Sequence, residues 1–342
     1  MTNAASPVRD VRSSASTGEA DPTDVHVHIV GNGRSGTGCW LNLRGYHRWL
    51  AAYMLRHLGL PAAALEGDLD ELYVRRLLEF VATSSLKRVI ILAHENVYDD
   101  RGDVMEGIGG FYVPNEHVLR LAHEHPCFRA AVSIHPARRD AMRELDRAIE
   151  GGAVMMKCLP NCQNIDCRRP EYRPFWKRMA EAGMILLAHT GGELSVPVVR
   201  REFQDPRYLK EPLDCGVTVI AAHVATSSGV GDVNYLPVLA DLCREYPRLY
   251  CDNSALCSPL RSRHLRACFQ SPLIDRMIHG SDLPIPVSGL WLWLRRLISW
   301  RDYRRSQGVR NILERDAMLK RSLGFSEETF LRLSGLLKQQ AS

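Results

Sequence analysis

Eight short runs rich in Val, Ile, Leu, Ala and Met punctuate the chain, at residues 25–30, 88–93, 129–134, 153–159, 184–188, 217–222, 248–252 and 276–281. Each is too short for an ordinary helix and has the near-continuous apolar composition of a strand buried on both faces. Between them the period changes. Residues 71–80, 141–150, 174–182 and 236–245 place apolar side chains at three- and four-residue spacing, the stripe of an amphipathic helix. Strands alternating with helices predict βαβ units and a parallel sheet. Eight repeats predict an α/β fold of the closed (β/α)8 TIM-barrel type rather than an open doubly wound sheet. No Gly-x-Gly-x-x-Gly follows the first run, which argues further against a dinucleotide-binding sheet.

A barrel of this kind builds its site from the C-terminal ends of its strands. Run one carries His26 and His28, whose spacing of two puts both imidazoles on one side of a strand. Run two stops at His94, run three at His135, run five at His189, run six at His223 and run eight at Asp282. Imidazole and carboxylate are ligands of divalent cations, so His26, His28, His189, His223 and Asp282 together predict a metal centre. Run four carries Lys157, which shares the face of Met155 by the period of two; that face is assigned to the barrel interior. Asn253, at the end of run seven, is a candidate brace for a metal ligand. His279 stands three residues before Asp282 and points to the other face.

Composition changes the picture only by exclusion. Hydrophobic residues make up 45% of the 342 and charged residues 24%, as in an ordinary globular protein. The 44 basic and 39 acidic side chains are well mixed, so the net charge of +5 marks no nucleic-acid surface. No apolar stretch reaches the roughly 18 residues of a membrane span. Residues 1–22 lack the apolar core of a secretory signal and predict a disordered tail, followed by one domain over 23–342 that includes the C-terminal helices. The ten cysteines show no disulfide-scaffold spacing, which favours the reduced cytoplasm. Cys158, Cys162 and Cys167 match no zinc or iron–sulfur pattern and read as free thiols. The glycine-rich segment 31–40 lacks the Lys-Ser or Lys-Thr of a P-loop and reads as a mobile loop beside the mouth.

Five motifs carry a resemblance. They are Asp24-Val-His-Val-His28, Val-Met-Met-Lys157-Cys-Leu-Pro160, Leu-Leu-Ala-His189-Thr-Gly-Gly192, Val-Ile-Ala-Ala-His223 and His-Gly-Ser-Asp282-Leu-Pro284. Together they resemble the amidohydrolase superfamily, most closely its amidohydrolase-related branch, over about residues 22–340. The resemblance implies that His26, His28 and Asp282 hold one divalent ion. It implies that Lys157, carboxylated by carbon dioxide, bridges to a second ion held by His189 and His223. Burial favours the neutral amine that this reaction needs; the alternative for Lys157 is a structural or substrate-binding ammonium. Zinc is the first choice of metal, with manganese, iron and nickel compatible with the same ligands.

The implied activity is hydrolysis of a small-molecule amide, lactone or ester by a metal-activated hydroxide, with Asp282 and His223 as the catalytic pair and Asp282 passing the proton to the leaving group. A second reading is a one-metal non-oxidative decarboxylase, with His26, His28, His189 and Asp282 as ligands and His223 as acid or base. A barrel without catalysis is disfavoured by the complete ligand set. His94, His135, Arg34 and Tyr98 are the candidate substrate contacts, and relatives of this kind often pair as homo-oligomers.

Overall fold

In the computed structural model, which describes residues 20–229 and 231–341, each apolar run contains a strand. They are β1 (Thr23–His28), β2 (Arg88–Leu92), β3 (Phe128–Val132), β4 (Met155–Cys158), β5 (Ile185–Ala188), β6 (Val219–Ala221), β7 (Leu249–Asp252) and β8 (Met277–Ile278). Neighbours in sequence are neighbours in the sheet, and every barrel pair is parallel. The segment after β8 closes the ring on β1: Val25 N donates to His279 O (3.0 Å), Asp282 N to His26 O (2.9 Å) and His28 N to Leu283 O (2.9 Å). Eight parallel strands closed in sequential order, with helices between them, form a TIM barrel. The predicted helices are present as Leu69–Ala82, Ala141–Glu150, Arg173–Glu181 and Leu236–Glu245.

Side-chain alternation divides the core in two. Val25, Leu92, Met155, Leu187, Ile220 and Ile278 are among those that fill the barrel. Val27, Ile91, Met156, Ala188, Ala221 and Met277 face the helices instead. Leu333, from the last helix Glu327–Ala341, joins the inner cluster. Its neighbour Ser334 donates to Asp21 O (2.7 Å), so this helix plugs the end of the barrel where β1 begins. All of this leaves the C-terminal strand ends as the open face.

Two local features aim side chains at that face. In β1 the pairing register slips between Asp24 and Val27, so one extra residue is accommodated opposite β2. The bulge lets Val25 point into the barrel while His26 and His28 still point into its mouth; bulges beside active sites commonly re-aim side chains this way. Beyond β8, a Cβ on Gly280 would lie 3.0 Å from His26 Cβ and 3.2 Å from Ser254 Cβ. Only glycine lets the chain pass so close beneath His26 before turning up to Asp282.

Some expectations change here. The eighth strand, predicted over 276–281, is short because the chain bends after Ile278 to carry Gly280 and Asp282 around the mouth. Of the tail predicted over 1–22, residues 1–19 lie outside the described residues. Asp21 and Pro22 are tied down: Asp21 Oδ2 accepts from Arg88 Nε (2.7 Å) and Pro22 O from Lys87 N (2.8 Å). The glycine-rich loop is also held, since the Asp70 carboxylate accepts from Asn32 N (2.8 Å), Gly33 N and Thr37 Oγ1. All ten cysteines are free thiols. Among the described residues no helix is long and apolar enough to cross a membrane.

Candidate metal centre

Six side chains from five strand ends converge on the floor of one cavity: His26, His28, Lys157, His189, His223 and Asp282. The imidazoles pack with centroids 5.2 Å (His26–His28), 5.1 Å (His26–His223) and 5.0 Å (His189–His223) apart. Asp282 Oδ1 lies 3.2 Å from His26 Nε2 and 3.3 Å from His28 Nε2, and its Oδ2 lies 3.9 Å from His223 Nδ1. Lys157 Nζ is 3.0 Å from His26 Nε2. His223 (φ 58°) and Asp282 (φ 66°) both adopt the left-handed backbone region, a cost that non-glycine residues carry mainly at functional positions.

Asp252, at the end of β7, sets the proton positions. Its Oδ2 lies 2.8 Å from His26 Nδ1, and a carboxylate can only accept, so His26 carries its proton at Nδ1. Nε2 is left with a lone pair aimed into the mouth. Asp252 Oδ1 accepts from Ser254 Oγ and from His223 N (2.7 Å). With its own proton directed to Asp252, Ser254 Oγ accepts from His223 Nδ1 at 2.8 Å. One carboxylate therefore fixes the tautomers of two histidines on different strands, the arrangement that orients metal-binding imidazoles in general.

Burial decides the charge states. It pushes His28 down to about 3 and holds His26, His189 and His223 well below the usual histidine range, helped by the Lys157 or Arg261 cation. Neutral imidazole is the form that donates a lone pair. Burial also lowers Lys157, against the pull of the Asp282 and Asp252 carboxylates. It raises Asp282 to about 7, opposed by Lys157 and Arg261.

A divalent cation fits this set. His26 Nε2 faces both the Lys157 amine (3.0 Å) and an Asp282 carboxylate oxygen (3.2 Å), and two acceptors this close suit a cation. His28 Nδ1 and His189 Nε2 are buried without a hydrogen-bond partner. Ligand atoms of His26, His223 and Asp282 lie within 4.8 Å of one another, and among the described residues no other group of three His, Cys, Asp or Glu does so. Cys158, Cys162 and Cys167 form no such group.

The other sequence candidates lie elsewhere. His94 is buried and stacks on Phe111 with centroids 3.9 Å apart, but does not line the cavity. His135 has both ring nitrogens engaged by backbone, with Nδ1 accepting from Ala137 N (3.1 Å) and Nε2 donating to Gln163 O (2.9 Å). Tyr98 donates to Glu95 Oε1 (3.4 Å) and Arg34 is exposed, both outside the cavity lining. Asn253 braces no histidine; its Oδ1 accepts from Gly280 N (3.1 Å), and Asp252 does the bracing. His279 faces away from the mouth, packed on Phe330. The sequence reading missed Glu193, which lines the cavity 3.6 Å from His189 Nε2, and the buried Arg261. Glu193 sits in an irregular segment and Arg261 opens the short 3-10 turn Arg261–His264, and no periodicity points to either.

A family model described as amidohydrolase matches residues 23–310. No curated protein matches the chain. Among solved structures, an uncharacterized TIM-barrel protein from Bordetella bronchiseptica is 17% identical with a TM-score of 0.55, covering 92% of this chain and 99% of its own. A putative 2-pyrone-4,6-dicarboxylic acid hydrolase from Pseudomonas putida is 14% identical with a TM-score of 0.54, covering 94% and 98%. Both share the barrel.

Proposed function

Because the chain belongs to the amidohydrolase family of metal-dependent TIM-barrel enzymes, we propose that it hydrolyses a carbonyl bond (amide, lactone or ester) of a small molecule, using two divalent cations with zinc as first choice. His26, His28 and Asp282 would hold one ion, His189 and His223 the other, and a carboxylated Lys157 would stand between them. When bound, such cations polarise a substrate oxygen and acidify a shared water to near neutrality. The rest is the work of the chain. Asp252 holds protons on the inner nitrogens of His26 and, through Ser254, His223, so that Nε2 of each stays free to ligate. Asp282 would take a proton at the carboxylate oxygen that no ion engages and release it to the leaving group.

The observation that carries this reading is the convergence of four neutral imidazoles, one amine with a depressed pKa and one carboxylate, with buried nitrogens that have no other partner. The one-metal decarboxylase reading takes His26, His28, His189 and Asp282 as ligands and leaves His223 as the proton carrier, so it differs from the hydrolytic one in the number of ions per chain. Metal content per chain tests the assignment, on protein grown with bicarbonate and zinc or manganese and purified without chelator. Two ions, falling to one in Lys157→Ala, are expected. One ion that is indifferent to that substitution would refute the bridged pair and favour the decarboxylase.

A further inference from the structure

Above its polar floor the cavity changes character. Leu50 and Met54 reach it from the helix Tyr46–His57, Phe111 from a two-stranded ribbon, and Val196 and Ile285 from the loops after β5 and β8. The ribbon pairs Trp40–Leu41 with Phe111–Tyr112 antiparallel and forms part of the roof. Lys157 is the only Lys or Arg among the described lining residues, and it lies at the floor beside His26. The buried Arg261 is not available to a ligand: its Nη1 donates to Thr226 O (2.5 Å) and its Nη2 to Gly192 O (2.5 Å). The remaining acidic lining groups, Glu193 and Asp282, are carboxylates. Glu193 is held in place by Val196 N, which donates to its Oε1 at 3.1 Å, while its Oε2 faces His189.

We infer that the non-reacting part of the substrate is an uncharged hydrocarbon chain or ring, so that the enzyme takes neutral, apolar esters, lactones or amides rather than carboxylated or phosphorylated ones. A carboxylate or phosphate entering between Leu50, Met54 and Phe111 would give up its hydration and meet no Lys or Arg in exchange, with only the His47 imidazole, the Asn42 amide and Ser195 as polar groups among the upper lining residues. It would also approach Glu193. A hydrocarbon loses nothing on that path and gains about fourfold in affinity for each methylene fully removed from water. The identity of the reacting carbonyl rests on the hydrolytic reading above; the chemistry of the walls does not.

Hydroxamates separate the two, because they bind metal through one end without being turned over. On metal-loaded protein, calorimetry would compare acetohydroxamate, octanohydroxamate and suberic monohydroxamate, which matches the octanoyl length but ends in a carboxylate. The octanoyl compound is expected to bind at least about tenfold more tightly than the acetyl one, and the carboxylated compound to lose most of that gain. Met54→Arg, a change outside the metal set, should favour the carboxylated compound over the octanoyl one. Equal or tighter binding of the carboxylated compound to the unmodified protein would overturn the inference. So would indifference to chain length, or no binding by any of the three. If the apolar preference holds while no ester, lactone or amide is hydrolysed, the wall inference stands and the hydrolytic reading falls.

Discussion

Asp252→Asn is nearly isosteric and tests the site at the residue that organises it. The carboxylate receives four donors: His26 Nδ1 at 2.8 Å, His223 N at 2.7 Å, Ser254 N at 3.1 Å and Ser254 Oγ. An amide has one acceptor oxygen. If that oxygen stays with the backbone donors, the NH2 group faces His26 Nδ1, which must then accept. The His26 proton moves to Nε2 and removes the lone pair meant for metal. If the oxygen turns to His26 instead, the NH2 group opposes His223 N–H and Ser254 N–H, and buried donors lose their partner.

Either orientation removes a hydrogen bond to a charged group, a loss of about 1.5–3 kcal/mol in stability. The metal affinity should fall by about 10- to 100-fold, the usual effect of losing the partner that orients a liganding histidine. Chelator competition measures the zinc affinity of wild type and variant, urea denaturation of the metal-free proteins measures the stability, and nitrogen-15 shifts of the imidazoles report the tautomer. Zinc affinity within twofold of wild type, with the His26 proton still at Nδ1, would refute the orienting role of Asp252.

Two further outcomes are expected away from the metal. His135 is pushed down to about 4 by burial, against the opposing pull of the Gln163 carbonyl that accepts from its Nε2, compared with about 6.5 in the unfolded chain. The unfolded state therefore binds the proton first: this stability is complete above about pH 6.5, is lost as pH falls toward 4, and amounts to about 3 kcal/mol. His135→Asn should flatten the pH dependence of urea unfolding across that window, and an unchanged slope would show that His135 does not contribute it. Lys320 Nζ donates to Asp316 Oδ2 (2.5 Å) and to Gly280 O (2.5 Å), fully buried beneath the turn that carries Asp282. Asp316→Ala leaves that ammonium without its counter-charge and should cost about 3–5 kcal/mol in urea unfolding; a loss under about 1 kcal/mol would contradict it.

The barrel was legible because strands buried on both faces must be apolar almost throughout, so eight of them stand out against amphipathic helices. Lys157, His189 and Asp282 were legible for a related reason, whereas the β1 bulge and the left-handed turn at His223 put the other three floor residues off the same count. From an interior position such as Met155, Leu187 or Ile278, steps of two lead to Lys157, His189 and Asp282. The same rule applied to β7 would have found the brace: Tyr250 packs against the inner cluster, and two residues on stands Asp252, not Asn253. Direction along a strand is thus set by the backbone period, but distance past its end is not. His94 and His135 follow the rule of direction, yet one is covered by Phe111 and the other is engaged by the backbone of 137 and 163. What covers a strand end is chosen by loops folding back from far along the chain. The helix Tyr46–His57 brings Leu50 and Met54 over the mouth in that way, whereas Glu193 reaches His189 from only four residues on, through an irregular turn. The placement of half the cavity floor is therefore written in local periodicity, whereas the lining of its upper walls arises from packing that no period encodes.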